Sequence, residues 1–300
     1  MLADRIIPPG DRLRVGWPKV FWLYLMLVPA LVWAPAAFSV PCLLASALLT
    51  FLTVGVGHSI GLHRGLIHRA YRAGGLTRGV LAYLAVQSGL GGPLAWVRVH
   101  HYRDYWQNQP DCPRYFAYRH SALRDYFWNL HLAFRPADEA RYPLPAAVLH
   151  DPWLRWLERT WYWHVLGFIG LLALLFGPET AVVCGCARIS AAILGHWFVN
   201  YASHSYGYAR YRIEQATESG YNSWLLGLLS FGEGYHNNHH AHPGSAKLSG
   251  AWYEVDLGWP AVRLLRALGL IWRVQAQGYT PTLRRRARTG PLRWRFWWQK

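Results

Sequence analysis

The first long feature along the chain is a run without Asp, Glu, Lys or Arg, from Val20 to Gly57. One helical bilayer crossing takes about 20 residues, so this run is long enough for two. Pro35 and Pro41 sit near its middle, where a turn is needed. The pattern predicts an out-and-back helical pair over 20–37 and 39–58. A second uncharged run spans Trp161 to Pro178; Glu179 interrupts it, and Thr180 to Tyr201 follows with Arg188 as its one charge. A second pair is expected over 161–178 and 180–202, with Arg188 either snorkelling or facing the bundle interior. Leu76 to Val97 is also apolar, but Gly89, Gly91, Gly92 and Pro93 fall inside it. Clustered glycines weaken a spanning helix, so this stretch reads as re-entrant or interfacial. The whole pattern predicts a single domain, 1–300, of all-α integral membrane class. It has four transmembrane helices in two hairpins, a cytosolic helical cap over 59–160 and 203–283, and a basic-aromatic tail over 284–300.

Composition supports a membrane body over a large soluble core: 53% of residues are hydrophobic and 15% charged. The 18 Trp and 18 Tyr suit interfacial aromatic belts. The expected hairpin tips, near Phe38 and Pro178–Glu179, carry no Lys or Arg, whereas the N-terminus, the Arg64–Arg159 stretch and the tail carry nearly all of them. Positive segments stay cytoplasmic, which places both termini and the cap in the cytosol. The net charge of +16 and the tail, Arg284-Arg285-Arg286, Arg288 and Arg293-Trp294-Arg295-Phe296-Trp297-Trp298, admit nucleic acid or anionic lipid as partner. Basic residues interleaved with tryptophan beside a membrane favour lipid headgroups, and no nucleic-acid partner is expected. Cys42, Cys112, Cys184 and Cys186 form no disulfide framework. Pro8, Pro9 and Asp11 precede the first apolar run, unlike a signal peptide.

Three groups of histidines lie beside these apolar runs. The densest is His236-Asn237-Asn238-His239-His240, with His242 following. Positions i, i+3 and i+4 share one helix face, and neutral imidazole is a ligand for iron, zinc, copper or nickel. Packing hardly explains three histidines in five residues, although a hydrated surface cluster is an alternative. Another group is His63-x4-His68. Its spacing does not match one α-helical face, so the helix should end or bend there. His58, five residues earlier, reads as a hydrogen-bonded buried histidine, or else as an extra ligand or a donor behind one. The remaining group is His100-His101-Tyr102-Arg103-Asp104. Helical spacing puts His100, Arg103 and Asp104 on one face and His101 on another, so Asp104 either binds metal beside His100 or pairs with Arg103 at the surface. The last apolar run ends in a stripe of His196, Asn200 and His204. His204 is the candidate ligand, Asn200 can hold a metal-bound water, and His196 reads as packed.

Together these motifs resemble the membrane fatty acid desaturases of the Δ9 acyl-CoA and acyl-lipid branch, over nearly the whole chain. The motifs are His63-x4-His68-Arg69-x-Tyr71, a Trp96-x-Arg98-x-His100 segment, Trp197-Phe198-Val199-Asn200-x3-His204 with Gly207-Tyr208, and Gly232-Glu233-Gly234-Tyr235-His236-Asn237-Asn238-His239-His240. The resemblance implies a four-helix membrane fold whose cytosolic cap holds two irons above an acyl tunnel. It also implies O2-dependent formation of a cis double bond in an acyl-CoA or acyl-lipid, with electrons from a separate ferredoxin or cytochrome b5-type donor. Seven metal ligands carry over: His63, His68, His100, His204, His236, His239 and His240, with Asn200 as a water-mediated ligand. The family pattern His-x-x-His-His is altered here. Aligned by Trp96, Arg103 and Asp104 stand at its last two histidines; aligned by the histidine pair, His100 and His101 do. Arg103 can then pair with Asp104 or meet the substrate headgroup. The altered group leaves two other readings: hydroxylation or decarboxylation on the same scaffold, or a non-catalytic membrane metal-binding relative.

Overall fold

The computed structural model describes residues 2–277 and 287–296. It is mostly helical, and three helices are long and apolar enough to cross a membrane: α2 (Val40–Ile67), α6 (Pro152–Phe176) and α7 (Pro178–Ser205). The expected first span is shorter. Helix α1 covers Trp17–Val32, and the chain breaks at Trp33 before a single turn over Ala34–Ala37. Its 16 residues rise about 24 Å, against a hydrocarbon core of about 30 Å. The other boundaries also move: α2 continues past 58 to Ile67, α6 starts at Pro152 rather than 161, and α7 ends at Ser205.

Local chemistry sets these ends. Ser39 precedes α2 and its hydroxyl accepts from the Cys42 amide, with Pro41 in the first turn. Asp151 caps α6 by accepting from the amides of Trp153 (3.0 Å) and Leu154 (3.1 Å), with Pro152 as first helical residue. Gly177, at φ +89°, turns α6 into α7, a conformation that favours glycine. The apolar 76–97 stretch divides at its glycines, as their helix-weakening effect predicts. Helix α3 (Gly75–Val86) stops before Gly89 and Gly91, both at positive φ, and α4 (Pro93–Gln107) starts again with proline in its first turn.

Helix α2 is wound in two ways. Val40–Thr50 is α-helical, and Phe51–Ile67 is π-helical, with hydrogen bonds running i→i+5. In the π segment Gly57 lies against the backbone of Leu84 and Ala85, where a Cβ would come within 2.4 Å, and Gly61 faces Leu81. Small residues of this kind let helices approach closely, and here they seat α3 on α2. A core of Trp22, Met26, Leu62, Val86, Val97, Leu157, Val165 and Ile189 ties α1, α2, α3, α4, α6 and α7 together. Arg188 faces inward. Its guanidinium donates to the Cys184 carbonyl (2.7 Å), Thr53 Oγ1 (2.9 Å) and the Gln87 carbonyl (3.0 Å). Leu43, Leu44 and Leu48 on α2, and Leu171, Leu174 and Leu175 on α6, are exposed.

The all-α expectation needs correction. Among the described residues, three two-stranded antiparallel sheets lie outside the long helices: β1 (Arg12–Val15) with β3 (Leu132–Arg135), β2 (Arg72–Ala73) with β5 (Ile271–Trp272), and β4 (Gly207–Ile213) with β6 (Ala287–Arg295). The tail thus enters the fold as a strand, and its residues Arg284, Arg285, Arg286, Trp297 and Trp298 lie outside the described residues. All four cysteines are free.

Candidate metal centre

The π winding resolves the spacing of the first histidine group. The helix ends at Ile67, as the spacing predicts, with His68 as its C-cap; the His68 amide still donates to the His63 carbonyl at 3.0 Å, an i→i+5 bond. With bonds to the fifth residue, positions i and i+5 come to the same side, so both imidazoles leave α2 together. Helix α4 brings His100 to the same place: its Nε2 lies 3.2 Å from His63 Nε2 and 3.3 Å from His68 Nε2. The fourth member is His239, from α9 (His236–Ala241), which follows α5 (Ala122–His131) and α8 (Trp224–Leu229) in the chain. One ligand nitrogen from each of His63, His68, His100 and His239 lies within 4.8 Å of every other. A second cluster of the same tightness joins His204, near the end of α7, to His236 and His240. The two adjoin, since the rings of His236 and His239 are 5.5 Å apart. The third group is therefore divided between the clusters.

The rings are held from behind. A Glu233 carboxylate oxygen lies 2.8 Å from His63 Nδ1, and an Asp104 oxygen 3.1 Å from His100 Nδ1. His204 Nδ1 donates to the Asn200 carbonyl at 2.8 Å. A carboxylate or carbonyl on one ring nitrogen fixes the tautomer and leaves the other as donor to a metal. Helix α9 is fixed by the two asparagines between its histidines. The Asn237 amide oxygen accepts from the amides of Arg210 (2.8 Å) and Tyr211 (2.7 Å), and Asn238 Nδ2 donates to the Leu248 carbonyl (3.0 Å) and Glu254 (2.8 Å). Arg64, beside His63, turns away into the cap. It donates to Asp256 at 3.0 and 3.1 Å, to the Ala246 carbonyl at 2.7 Å and to the Phe231 carbonyl.

The set fits a transition metal. Burial, reinforced by neighbouring imidazoles, holds His68 and His239 well below the usual histidine range and pushes His236 down to about 3. These rings are neutral near pH 7, as ligation requires. His204 Nε2 is buried with no hydrogen-bond partner, a costly arrangement that a bound ion relieves. Nitrogen donors suit iron, zinc, copper and nickel.

Other expected residues fall elsewhere. His101 joins neither cluster, and its imidazole donates to the Pro143 carbonyl. Asp104 sits behind His100 rather than among the converging donors. Arg103 does not pair with Asp104: its guanidinium donates to the Tyr118 hydroxyl and Asn129 Oδ1. Asn200 Nδ2 donates to the same Tyr118 hydroxyl. His58 and His196 meet edge-on at 5.1 Å, and both pack against Trp96. Sequence reasoning missed the roles of Glu233, Asn237, Asn238 and Tyr118; the first three had a signal as members of the Gly232–His240 motif, and Tyr118 had none.

A cavity of 450 Å³ opens at the clusters, lined by His63, His100, His204, His236 and His239 at one side and by Val54, Trp96, Val99, Phe198, Leu225 and Leu229 along its walls. A neighbouring cavity of 320 Å³ shares Trp96, Val99, Arg103, His196 and Asn200 with it.

Comparison with known proteins agrees with this geometry. The family model for fatty acid desaturases matches residues 37–275. The sn-1 stearoyl-lipid 9-desaturase of Anabaena variabilis is 32% identical, covering 90% of this chain and 97% of the relative. Acyl-CoA 5-desaturase AL21 of Anemone leveillei is 30% identical over 88% and 84% of the two chains, and Delta-9 acyl-lipid desaturase 1 of Arabidopsis thaliana 28% over 90% and 89%. The chain belongs to the fatty acid desaturase family, and it is a membrane oxidoreductase of that family.

Proposed function

We propose that this chain is a Δ9-type fatty acyl desaturase. It takes one hydrogen from each of two neighbouring methylenes and leaves a cis double bond, while O2, two electrons and two protons become two waters with the hydrogens removed. The observation that carries this reading is the meeting of two partly buried histidine clusters with an apolar cavity. Breaking an unactivated C–H bond needs an oxidant that no side chain provides; His63, His68, His100 and His239 would hold one iron and His204, His236 and His240 another, and the pair would supply that oxidant from O2. The chain's own part is placement. Val54, Trp96, Val99 and Phe198 hold the acyl chain and exclude water, so that one carbon pair stays beside the clusters. Glu233, Asp104 and the Asn200 carbonyl keep the imidazoles oriented. Electrons come from an external donor of ferredoxin or cytochrome b5 type. The relatives' names support an acyl-lipid or acyl-CoA as substrate.

In the membrane, α1 with the turn after it and α2 form one hairpin and α6 with α7 the other. Both termini and the clusters lie on the cytoplasmic side, where the Lys and Arg residues concentrate.

Gas chromatography with mass spectrometry on lipids of a host with and without the gene tests the reading. A new cis alkene between carbons 9 and 10 is expected. A hydroxylated or one-carbon-shorter product would replace desaturation with hydroxylation or decarboxylation, and unchanged lipids would favour a non-catalytic metal-binding protein.

A further inference from the structure

The two clusters are unequal in donors, in support and in charge. Four imidazoles converge in the first, enough to complete a tetrahedral shell. Two have carboxylates behind them, and the Glu233 carboxylate also accepts from Ser59 Oγ at 2.5 Å. Three imidazoles converge in the second, and behind His204 stands a neutral carbonyl. The Tyr118 ring is stacked on His204, with centroids 4.2 Å apart and planes at 15°. The hydroxyl of that same tyrosine receives the Arg103 guanidinium and the Asn200 amide. Arg103 is further tied to Asn129, whose own Nδ2 donates to Asp125 at 2.8 Å. A guanidinium stays protonated and offers no lone pair, so it brings no ligand to the second cluster and opposes a cation there. Its hydrogen bonds also prevent it from swinging away.

We propose that the chain binds two transition-metal ions with unequal affinity: one held tightly by His63, His68, His100 and His239, and one held weakly and exchangeably by His204, His236 and His240 under the fixed charge of Arg103. This rests on the reading of both clusters as metal sites. The weak ion has open coordination positions, which small exogenous ligands fill.

The test uses the full chain in detergent, charged with Co(II) under anaerobic conditions and then equilibrated against a graded series of chelator. Metal per chain is read by mass spectrometry and coordination by visible absorption. Release in two steps is expected, with the ions leaving at chelator concentrations at least tenfold apart. His240→Ala should keep the late step and lose the early one; His68→Ala should shift the late step toward weaker chelation. Arg103→His, and Arg103→Gln as a variant that keeps a hydrogen-bonding side chain, should move the early step toward the late one. Release of both ions from the wild type in one step would overturn the proposal. So would equal losses from His240→Ala and His68→Ala, or early release unmoved by both Arg103 variants. The lipid profile is read separately: unchanged lipids with two-step release would sink the desaturase reading alone, and alkene formation with one-step release would sink the inequality alone.

Discussion

The two halves of α2 are one continuous helix with opposite characters. Val40–Thr50 is α-helical and has no buried residue, while Phe51–Ile67 is π-wound and has eleven, among them His58, His63 and Arg64. The outer half is apolar surface, tolerant in identity because lipid accepts any apolar side chain. The inner half touches α3 through Gly57 and Gly61, the cap through Arg64, and the metal centre through His63. The change of winding coincides with the change from exposed apolar surface to packed, site-bearing surface within this helix.

Substitutions along α2 and its contacts can break or sharpen that contrast. The largest effect is expected from Gly57→Leu, whose Cβ would lie 2.4 Å from the backbone of α3. The variant should fail to accumulate as a monodisperse protein in detergent; a normal elution profile would mean that the inner half is not tightly seated. Asp256→Ala comes next, because it strands the buried Arg64 guanidinium. Breaking a buried pair costs about 3–5 kcal/mol, read as a loss of thermal stability in detergent. A variant as stable as the wild type would show that Arg64 is not anchored by this pair. Glu233→Gln should leave the fold intact and weaken metal at the four-histidine cluster by about 10- to 100-fold; unchanged chelator resistance would show that His63 needs no carboxylate. Leu44→Ala, in the outer half, is expected to change stability by less than about 0.5 kcal/mol. A loss as large as that of Asp256→Ala would erase the distinction between the two halves.

Much of this was legible in the sequence, for reasons particular to each element. The uncharged runs marked the three long helices, because apolar length is nearly all that a bilayer demands. The glycines at 89, 91 and 92 marked the break between α3 and α4. What was hidden depended on geometry that no local pattern carries. The α-helical period gave no common face to His63 and His68, whereas the i→i+5 winding of Phe51–Ile67 brings them to one side. Spacing grouped His236, His239 and His240, whereas the fold sends His239 to one cluster and the other two to the second. Arg103 and Asp104, adjacent in sequence, found separate partners because Tyr118 and Asn129 arrive from the intervening loop and α5 (Ala122–His131). The break after α1 at Trp33 came from proline, which shortened a span that composition alone made look full length.

Arg188 carries a consequence for biogenesis. A charge at mid-bilayer costs about 2.5–3.5 kcal/mol even on insertion scales, yet its guanidinium is met by Thr53 and the Gln87 carbonyl, both far upstream. During synthesis those acceptors have left the ribosome before the arginine emerges. Two of the three acceptors of Arg188 thus exist before α7 is made, while the third, the Cys184 carbonyl, comes from α7 itself, so the guanidinium is fully satisfied only once α7 docks on α2 and the end of α3.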